Sequence, residues 1–215
     1  MVVILQILIV FLLVILIIVI VIGSRKDKIV NQLPENFKGI LADYVKFYSA
    51  LGEKEKEQFE KRAEQFLSSV KITGVNAVVE DLDLVLIAAG AVIPVFHIPD
   101  WQYINLHEVL VYPGAFNRDF DQHGPDRGVA GMVGTGPLQH VMVLDKWQLR
   151  QGFVNYHDAR NTAIHEFVHL VDKMDGTMDG VPEIILERKY VNRWRQLMDT
   201  TIEQMRIHGS DIDPY

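Results

Sequence analysis

The chain has 215 residues, a formal net charge of -7 and no cysteine. This length suits one domain of ordinary size once a membrane segment is set aside. An acidic chain that lacks a basic, aromatic-interleaved stretch is not expected to bind nucleic acid. The lack of cysteine excludes disulfides and thiolate zinc sites, so any zinc must be held by nitrogen and oxygen ligands.

Residues 2–22 form an apolar run that only Gln6 interrupts. At 1.5 Å per residue, a helix of this length is about long enough to cross a hydrocarbon core of ~30 Å. A secretory signal peptide is the alternative, but no Lys or Arg precedes the run and no small-residue cleavage pattern follows it. The run therefore predicts a transmembrane helix.

Three cations, Arg25, Lys26 and Lys28, follow the run directly. The positive-inside rule then places the rest of the chain in the cytoplasm, as a single-pass protein of a bacterial-type inner membrane. We expect three segments: a transmembrane anchor (residues 1–23), a juxtamembrane linker (residues 24–35) and a globular domain (residues 36–215).

The first half of the globular domain is predicted to be helical. One apolar stripe runs from Phe37 to Tyr48, and a second helix begins at the charged residues 53–57 and continues to Val70. Residues 82–96 are apolar enough for a second span, but they contain Asp83 and Pro94 and are too few to cross a bilayer. They are predicted to form a buried core helix, capped by Asp81 or Asp83.

Two strands and a closing helix are predicted in the second half. Glu108–Tyr112 is rich in β-forming residues and stops at Pro113, and residues 138–144 form a second apolar run. Between them, residues 117–136 are rich in Gly, Asp and Pro and predict a long surface loop or hairpin. Residues 175–180 predict a turn, and Pro182 is placed to begin a last helix that ends near Gly209.

The pattern H-E-x-x-H, formed by His165, Glu166 and His169, carries the chemistry of this chain. Residues four apart on a helix project from one face, so the two imidazoles can bind one tetrahedral zinc ion. Glu166 then lies within reach of a water in the open coordination position and can act as its general base. These groups together can hydrolyse a peptide bond with the help of the metal. A peptide substrate can be held extended as an added strand at a sheet edge, and residues 138–144 are the candidate for that edge.

Chance is the competing explanation, since His and Glu are ordinary residues of helix surfaces. The surrounding sequence favours a metal site, because an apolar stripe runs beside the histidines and indicates a helix that packs on one side and lines a cleft on the other. Asp158 is a candidate cap for this helix and Gly176 a candidate end. The stripe comprises Ile164, Phe167, Val168, Val171 and Met174.

Residues 161–169, followed by Asp172 and residues 179–182, resemble the Mlc titration factor A family of zinc-dependent peptidases. The resemblance extends upstream to residues 86–89 and 109–116 and downstream to residues 213–215, and so covers most of residues 37–215. It implies a zincin-like α+β fold with peptidase activity.

By position, the resemblance makes His165 and His169 zinc ligands, Glu166 the catalytic base and Tyr215 a residue that stabilises the oxyanion. Founding members of the family bind a transcriptional repressor, so a transcriptional regulator is a partner on the grounds of resemblance alone, beside a peptide or protein substrate. The apolar residues 2–22 depart from the soluble relatives and predict contact with a membrane.

The motif supplies two ligands, whereas catalytic zinc usually has three from the protein. Glu183 and Glu187 are candidates for the third, and Asp175, Asp179 and His208 are weaker ones. The resemblance points instead to a glutamate a few residues beyond the position of Tyr215, so we expect the sequence to stop short of that ligand.

Two other functions compete with a membrane-anchored zinc peptidase. One is a non-catalytic zinc-binding or regulatory module that keeps the scaffold. The other is an intramembrane protease, which is disfavoured because the polar residues Asp158, Arg160 and Asp172 around the motif would be costly to place in lipid.

Overall fold

The computed structural model describes residues 31–122, 126–155 and 160–208, which form a mixed α+β domain. Within these ranges one sheet contains β1 (Lys71–Gly74), β2 (Glu108–Tyr112), β3 (Gly131–Val133) and β4 (Val141–Asp145). The strand order is β1-β2-β4-β3. The first three strands in this order are mutually parallel, and β3 pairs antiparallel with β4 at one edge.

Seven helices accompany the sheet in the described ranges: α1 (Phe37–Tyr44), α2 (Lys46–Ser49), α3 (Glu53–Ser69), α4 (Asp81–Val92), α5 (Lys146–Val154), α6 (Thr162–Asp172) and α7 (Arg188–His208). Short 3-10 turns cover Ile93–Val95, Gly136–Leu138 and Lys173–Asp175. No described helix is both long enough and apolar enough to cross a membrane. The predicted span, residues 2–22, lies outside the described residues.

Helix α4 is the centre of the core, as its apolar sequence predicts. Every residue from Val85 to Val92 is buried. The N-cap is Glu80 rather than the predicted Asp81 or Asp83, and Asp83 instead is the third helical residue, whose carboxylate accepts the backbone N–H of Glu80 at 2.8 Å. The predicted helix over residues 37–48 is divided at Val45, whose extended backbone separates α1 from α2.

The two faces of the sheet are covered differently. The helices cover the face that carries Val109, Val111, Met142 and Leu144. The opposite face, which carries Leu110 and Val143, is covered by the segment after β2 through Phe116, Phe120 and Val129. Part of the predicted surface loop therefore lies over the second face of the sheet.

Several boundaries differ from the sequence prediction. Strands β1 and β3 and helix α5 were not predicted, and β3 lies inside the segment predicted as a loop or hairpin. The last helix begins at Arg188 rather than at Pro182, because residues 183–187 form turns in which Ile185 and Leu186 donate to the Pro182 carbonyl.

The candidate substrate edge is also placed differently. Residues 138–144 were predicted to provide it, but β4 pairs with β2 on one side and with β3 on the other. Because both sides of β4 are hydrogen-bonded, this strand cannot accept a further one. The edge strand next to the metal-motif helix α6 is β3.

Candidate metal centre

Helix α6 begins at a side-chain cap that the sequence prediction missed. The Asn161 amide oxygen accepts the backbone N–H of Ile164 at 3.0 Å, and its amide nitrogen donates to the Gly152 carbonyl at 2.9 Å. Asp158, the predicted cap, lies outside the described residues. At the other end, α6 continues as a 3-10 turn up to Gly176, whose φ of 96° ends the helix as predicted.

Close packing fixes the rotation of α6 about its axis. A side chain at Gly90 of α4 would place its Cβ 2.9 Å from the Ala163 Cβ, so the two helices touch almost backbone to backbone. The Phe167 ring packs at 5.4 Å from Phe66 and 5.1 Å from Tyr103. The buried stripe is Ala163, Phe167, Leu170 and Val171. Val168, predicted to belong to it, is 48% exposed.

His165 and His169 meet on the side of α6 away from Phe167. Their Nε2 atoms are 2.8 Å apart, and the two rings are nearly perpendicular. Burial lowers the pKa of His165, and the like charge of His169 lowers it further. The neutral imidazole, which is the form that binds a metal, is therefore favoured at His165.

Glu166 points toward the edge strand β3 and is 3% exposed. Burial raises the pKa of its carboxyl to about 7, although a hydrogen bond from the backbone N–H of Val133 opposes the rise. Gly131 makes the approach possible, because a Cβ there would lie 2.8 Å from the Glu166 Cγ and 2.6 Å from the Thr162 Cγ2. A carboxyl with such a pKa can exchange a proton near neutral pH.

The predicted third ligands do not join this pair in the described residues, where no three His, Asp or Glu side chains are grouped to hold a metal. Glu183 and Glu187 are exposed, and they pair with Arg195 at 3.6 Å and Lys189 at 2.6 Å. Asp175 accepts hydrogen bonds from Thr177 and the Glu183 backbone, and Asp179 pairs with Arg195. The His208 side chain and Tyr215 are outside what the structure describes.

Comparison with known proteins identifies the family. The sequence profile of the family described as "Glucose-regulated metallo-peptidase M90" matches residues 23–215. The chain belongs to this family. An uncharacterized protein of Synechocystis sp. is 27% identical over 203 residues, which cover 85% of this chain and 70% of the relative. "Mlc titration factor A" of Pectobacterium atrosepticum is 27% identical over 188 residues, covering 80% and 68% of the two chains.

Membership of the M90 family confirms the resemblance to Mlc titration factor A, and the family description implies a metal. The histidine pair fits zinc. Two nitrogens bound to a tetrahedral zinc at about 2.0–2.1 Å lie roughly 3.3 Å apart. The observed separation of 2.8 Å needs only a small side-chain rotation to reach that value.

Two features beside the candidate centre were missed by the sequence analysis. One is β3, whose Gly131 and Val133 contact Glu166; three residues in a Gly-rich segment are too few to show an alternating pattern. The other is Asp172, for which the sequence analysis proposed no role in the site. It shares the face of His165 and His169, and this spacing was visible in the sequence.

Proposed function

We propose that this member of the M90 family is a membrane-anchored zinc metallopeptidase with Glu166 as general base. One observation carries the proposal: a buried carboxyl with a pKa of about 7 lies next to two histidines whose Nε2 atoms converge. Burial of an ionisable group costs free energy, so a surface helix without a functional site is not expected to bury a carboxyl in this way.

In this proposal His165 and His169, whose Nε2 atoms lie 2.8 Å apart, would hold the zinc. A third ligand comes from outside the described residues, as the family resemblance implies. When bound, zinc supplies a Lewis acid that polarises the substrate carbonyl and lowers the pKa of a coordinated water to about 7.

Glu166 handles the proton. As a carboxylate it accepts a proton from the attacking water, and as a carboxylic acid it donates that proton to the leaving amine, so the group returns to its starting state. Its pKa of about 7 suits both steps, since neither form is strongly disfavoured at neutral pH. Tyr215, by resemblance alone, stabilises the oxyanion.

The edge of β3 is the proposed binding place for the substrate backbone. Gly131–Val133 is the outer strand of the sheet, and its backbone approaches Glu166 directly. An extended peptide that adds to this edge by main-chain hydrogen bonds would bring its carbonyl close to the histidine pair. The proposed edge is thus β3 instead of β4.

The anchor and its orientation remain part of the proposal. Residues 2–22 would span a bacterial-type inner membrane, and Arg25, Lys26 and Lys28 would keep the catalytic domain in the cytoplasm. A reporter that is active only in the cytoplasm, fused after Tyr215, is expected to be active. Activity of an extracytoplasmic reporter at the same position would contradict this orientation.

The peptidase proposal is tested by screening the purified protein, with its third zinc ligand present, against a peptide library. We expect cleavage with zinc, loss of cleavage with a chelator and recovery when zinc is restored. Cleavage that persists in the metal-free protein would contradict a zinc mechanism, and no cleavage in any zinc-loaded preparation would contradict an active peptidase.

A second function is favoured by one relative, whose name is "Mlc titration factor A". In that case this chain would be a non-catalytic zinc-binding protein that binds a transcriptional regulator. Binding of such a regulator by the chain, together with the absence of zinc-dependent cleavage, would support this function over the peptidase.

A further inference from the structure

Helix α7 is held to the rest of the domain by few contacts. None of its residues with a described side chain is buried, and its apolar side chains Tyr190, Leu197 and Ile202 are exposed. Among the described residues, two polar contacts join it to residues 176–181, which we name the hinge loop, and Arg195 also pairs with Glu183 at 3.6 Å. Arg195 pairs with Asp179 there at 3.3 Å, but both side chains are about half exposed, and such pairs contribute little.

Gly180 is the best-defined contact between the hinge loop and α7. The Trp194 indole N–H donates to the Gly180 carbonyl at 2.8 Å. Gly180 has a φ of 78°, and a Cβ at this position would lie 2.9 Å from the Met198 Sδ. The left-handed backbone conformation at this contact favours glycine.

Asp172, on helix α6, also contacts Gly180. Its Oδ2 accepts the backbone N–H of Gly180 at 2.9 Å, so Gly180 connects the metal-motif helix to Trp194. Asp172 is 8% exposed, and its Oδ1 has no hydrogen-bond donor among the described residues. A buried and only partly hydrogen-bonded carboxylate is costly, so its presence calls for a specific role.

The position of Asp172 on α6 relates it to the proposed site. It lies three residues after His169 and seven after His165, which places all three on one helix face. Any shift of the hinge loop relative to α6 therefore changes the position of α7 relative to the histidine pair.

We propose that Asp172 is a positioning residue, which holds Gly180 and, through it, Trp194 and α7 in a fixed place relative to His165 and His169. The inference rests on the proposed function only for its consequence at the metal. The hydrogen-bonded connection from Asp172 through Gly180 to Trp194 stands on geometry alone.

The test uses the full chain labelled with 5-fluorotryptophan and observed by 19F NMR. The chain has three tryptophans, so Trp101 and Trp147 serve as internal controls. Asp172→Ala is expected to move the Trp194 resonance and leave the other two in place. Asp172→Asn keeps an oxygen that can accept the Gly180 N–H, and it should restore the resonance. Asp199→Ala, an exposed carboxylate on α7, is the matched control and should change nothing.

Zinc affinity, measured by equilibrium dialysis on the same variants, provides the second readout. We expect Asp172→Ala to bind zinc more weakly, because a displaced α7 also displaces the part of the chain that follows it toward Tyr215, and we expect recovery in Asp172→Asn. A Trp194 resonance unchanged in Asp172→Ala, or moved in Asp172→Asn, would overturn the inference, as would wild-type zinc affinity in Asp172→Ala.

These outcomes are separable from failure of the proposed function. If the wild-type chain binds no zinc, the proposed function fails, whereas the Trp194 resonances still decide whether Asp172 holds α7. If Asp172→Ala moves all three resonances and so disturbs the whole fold, Asp172→Asn alone decides the inference, by restoring or not restoring the Trp194 resonance.

Discussion

Helices α6 and α7 are both amphipathic, but they are held in the domain by different forces. Of the 11 residues of α6, six are buried, including the carboxyl-bearing residues Glu166 and Asp172. Helix α7 has 21 residues, and no described side chain on it is buried. Packing therefore fixes α6, while α7 depends on a few hydrogen bonds at the hinge loop.

This difference separates the parts of the proposed site. His165, Glu166 and His169 come from the packed helix, so their mutual geometry is set before any metal binds. Under the proposed function, Tyr215 also takes part in the site, and it follows α7 in the chain. The site therefore combines a histidine pair whose positions are fixed by packing with a residue that follows a less constrained helix.

The largest expected effect is a loss of stability, and it compares the packing of α6 with that of α7. Phe167→Ala removes a fully buried ring that packs on Phe66 and Tyr103, and it should lower the free energy of unfolding by about 3–5 kcal/mol. Leu197→Ala on α7 should change it by less than about 0.5 kcal/mol, because Leu197 is 62% exposed. Urea unfolding measures both.

Equal losses of stability in these two variants would contradict the difference in packing between α6 and α7. They would mean that α7 is packed as tightly as α6 in solution.

A smaller effect is expected where the edge strand meets α6. Gly131→Ala would place a Cβ 2.8 Å from the Glu166 Cγ, and overpacking of this kind typically costs about 1–3 kcal/mol. Gly128→Ala is the matched control in the same segment, since a Cβ there meets nothing within 4 Å. A Gly131→Ala variant as stable as Gly128→Ala would show that β3 does not press against Glu166.

An effect of similar size is a pH dependence caused by Glu166 in the metal-free protein. Its pKa rises from 4.5 to about 7 on folding because the carboxyl is buried. Between these values the folded state keeps a proton that the unfolded state loses, so this group lowers stability as pH rises through that window. Above pH 7, Glu166→Gln should therefore be more stable than wild type by roughly 1–3 kcal/mol.

Thermal unfolding of both proteins at several pH values checks this expectation. The difference should be small near pH 4.5 and grow up to about pH 7. Parallel curves for the two proteins would contradict the burial of Glu166.

The same contrast explains what the sequence could predict. Helix α6 was predicted because Ile164, Phe167 and Val171 repeat with helical spacing, and α4 because its apolar run is long and ends near Pro94. The convergence of His165 and His169 follows from their spacing alone. These properties depend on residues that are close together in the sequence, so a pattern in the sequence can predict them.

Properties that depend on distant segments were not predictable in this way. The burial that raises the pKa of Glu166 involves close contact with Gly131 of β3, a distant strand whose three residues are too few to show a strand pattern. Strand β4 was predicted as an edge because the sequence does not reveal that β3 pairs with it. The late start of α7 reflects turns after Pro182 that override the preference of proline for a first helical position.

The central claim, that Glu166 moves the proton in a zinc-dependent peptidase, is tested most directly by Glu166→Gln. Zinc stoichiometry and peptide cleavage are measured on the same preparation, with Glu203→Gln, an exposed residue of α7, as the matched control. We expect Glu166→Gln to bind zinc as wild type does and to lose at least about 100-fold in kcat/KM, since general-base catalysis contributes that much or more. Cleavage at the wild-type rate by zinc-loaded Glu166→Gln would contradict the account.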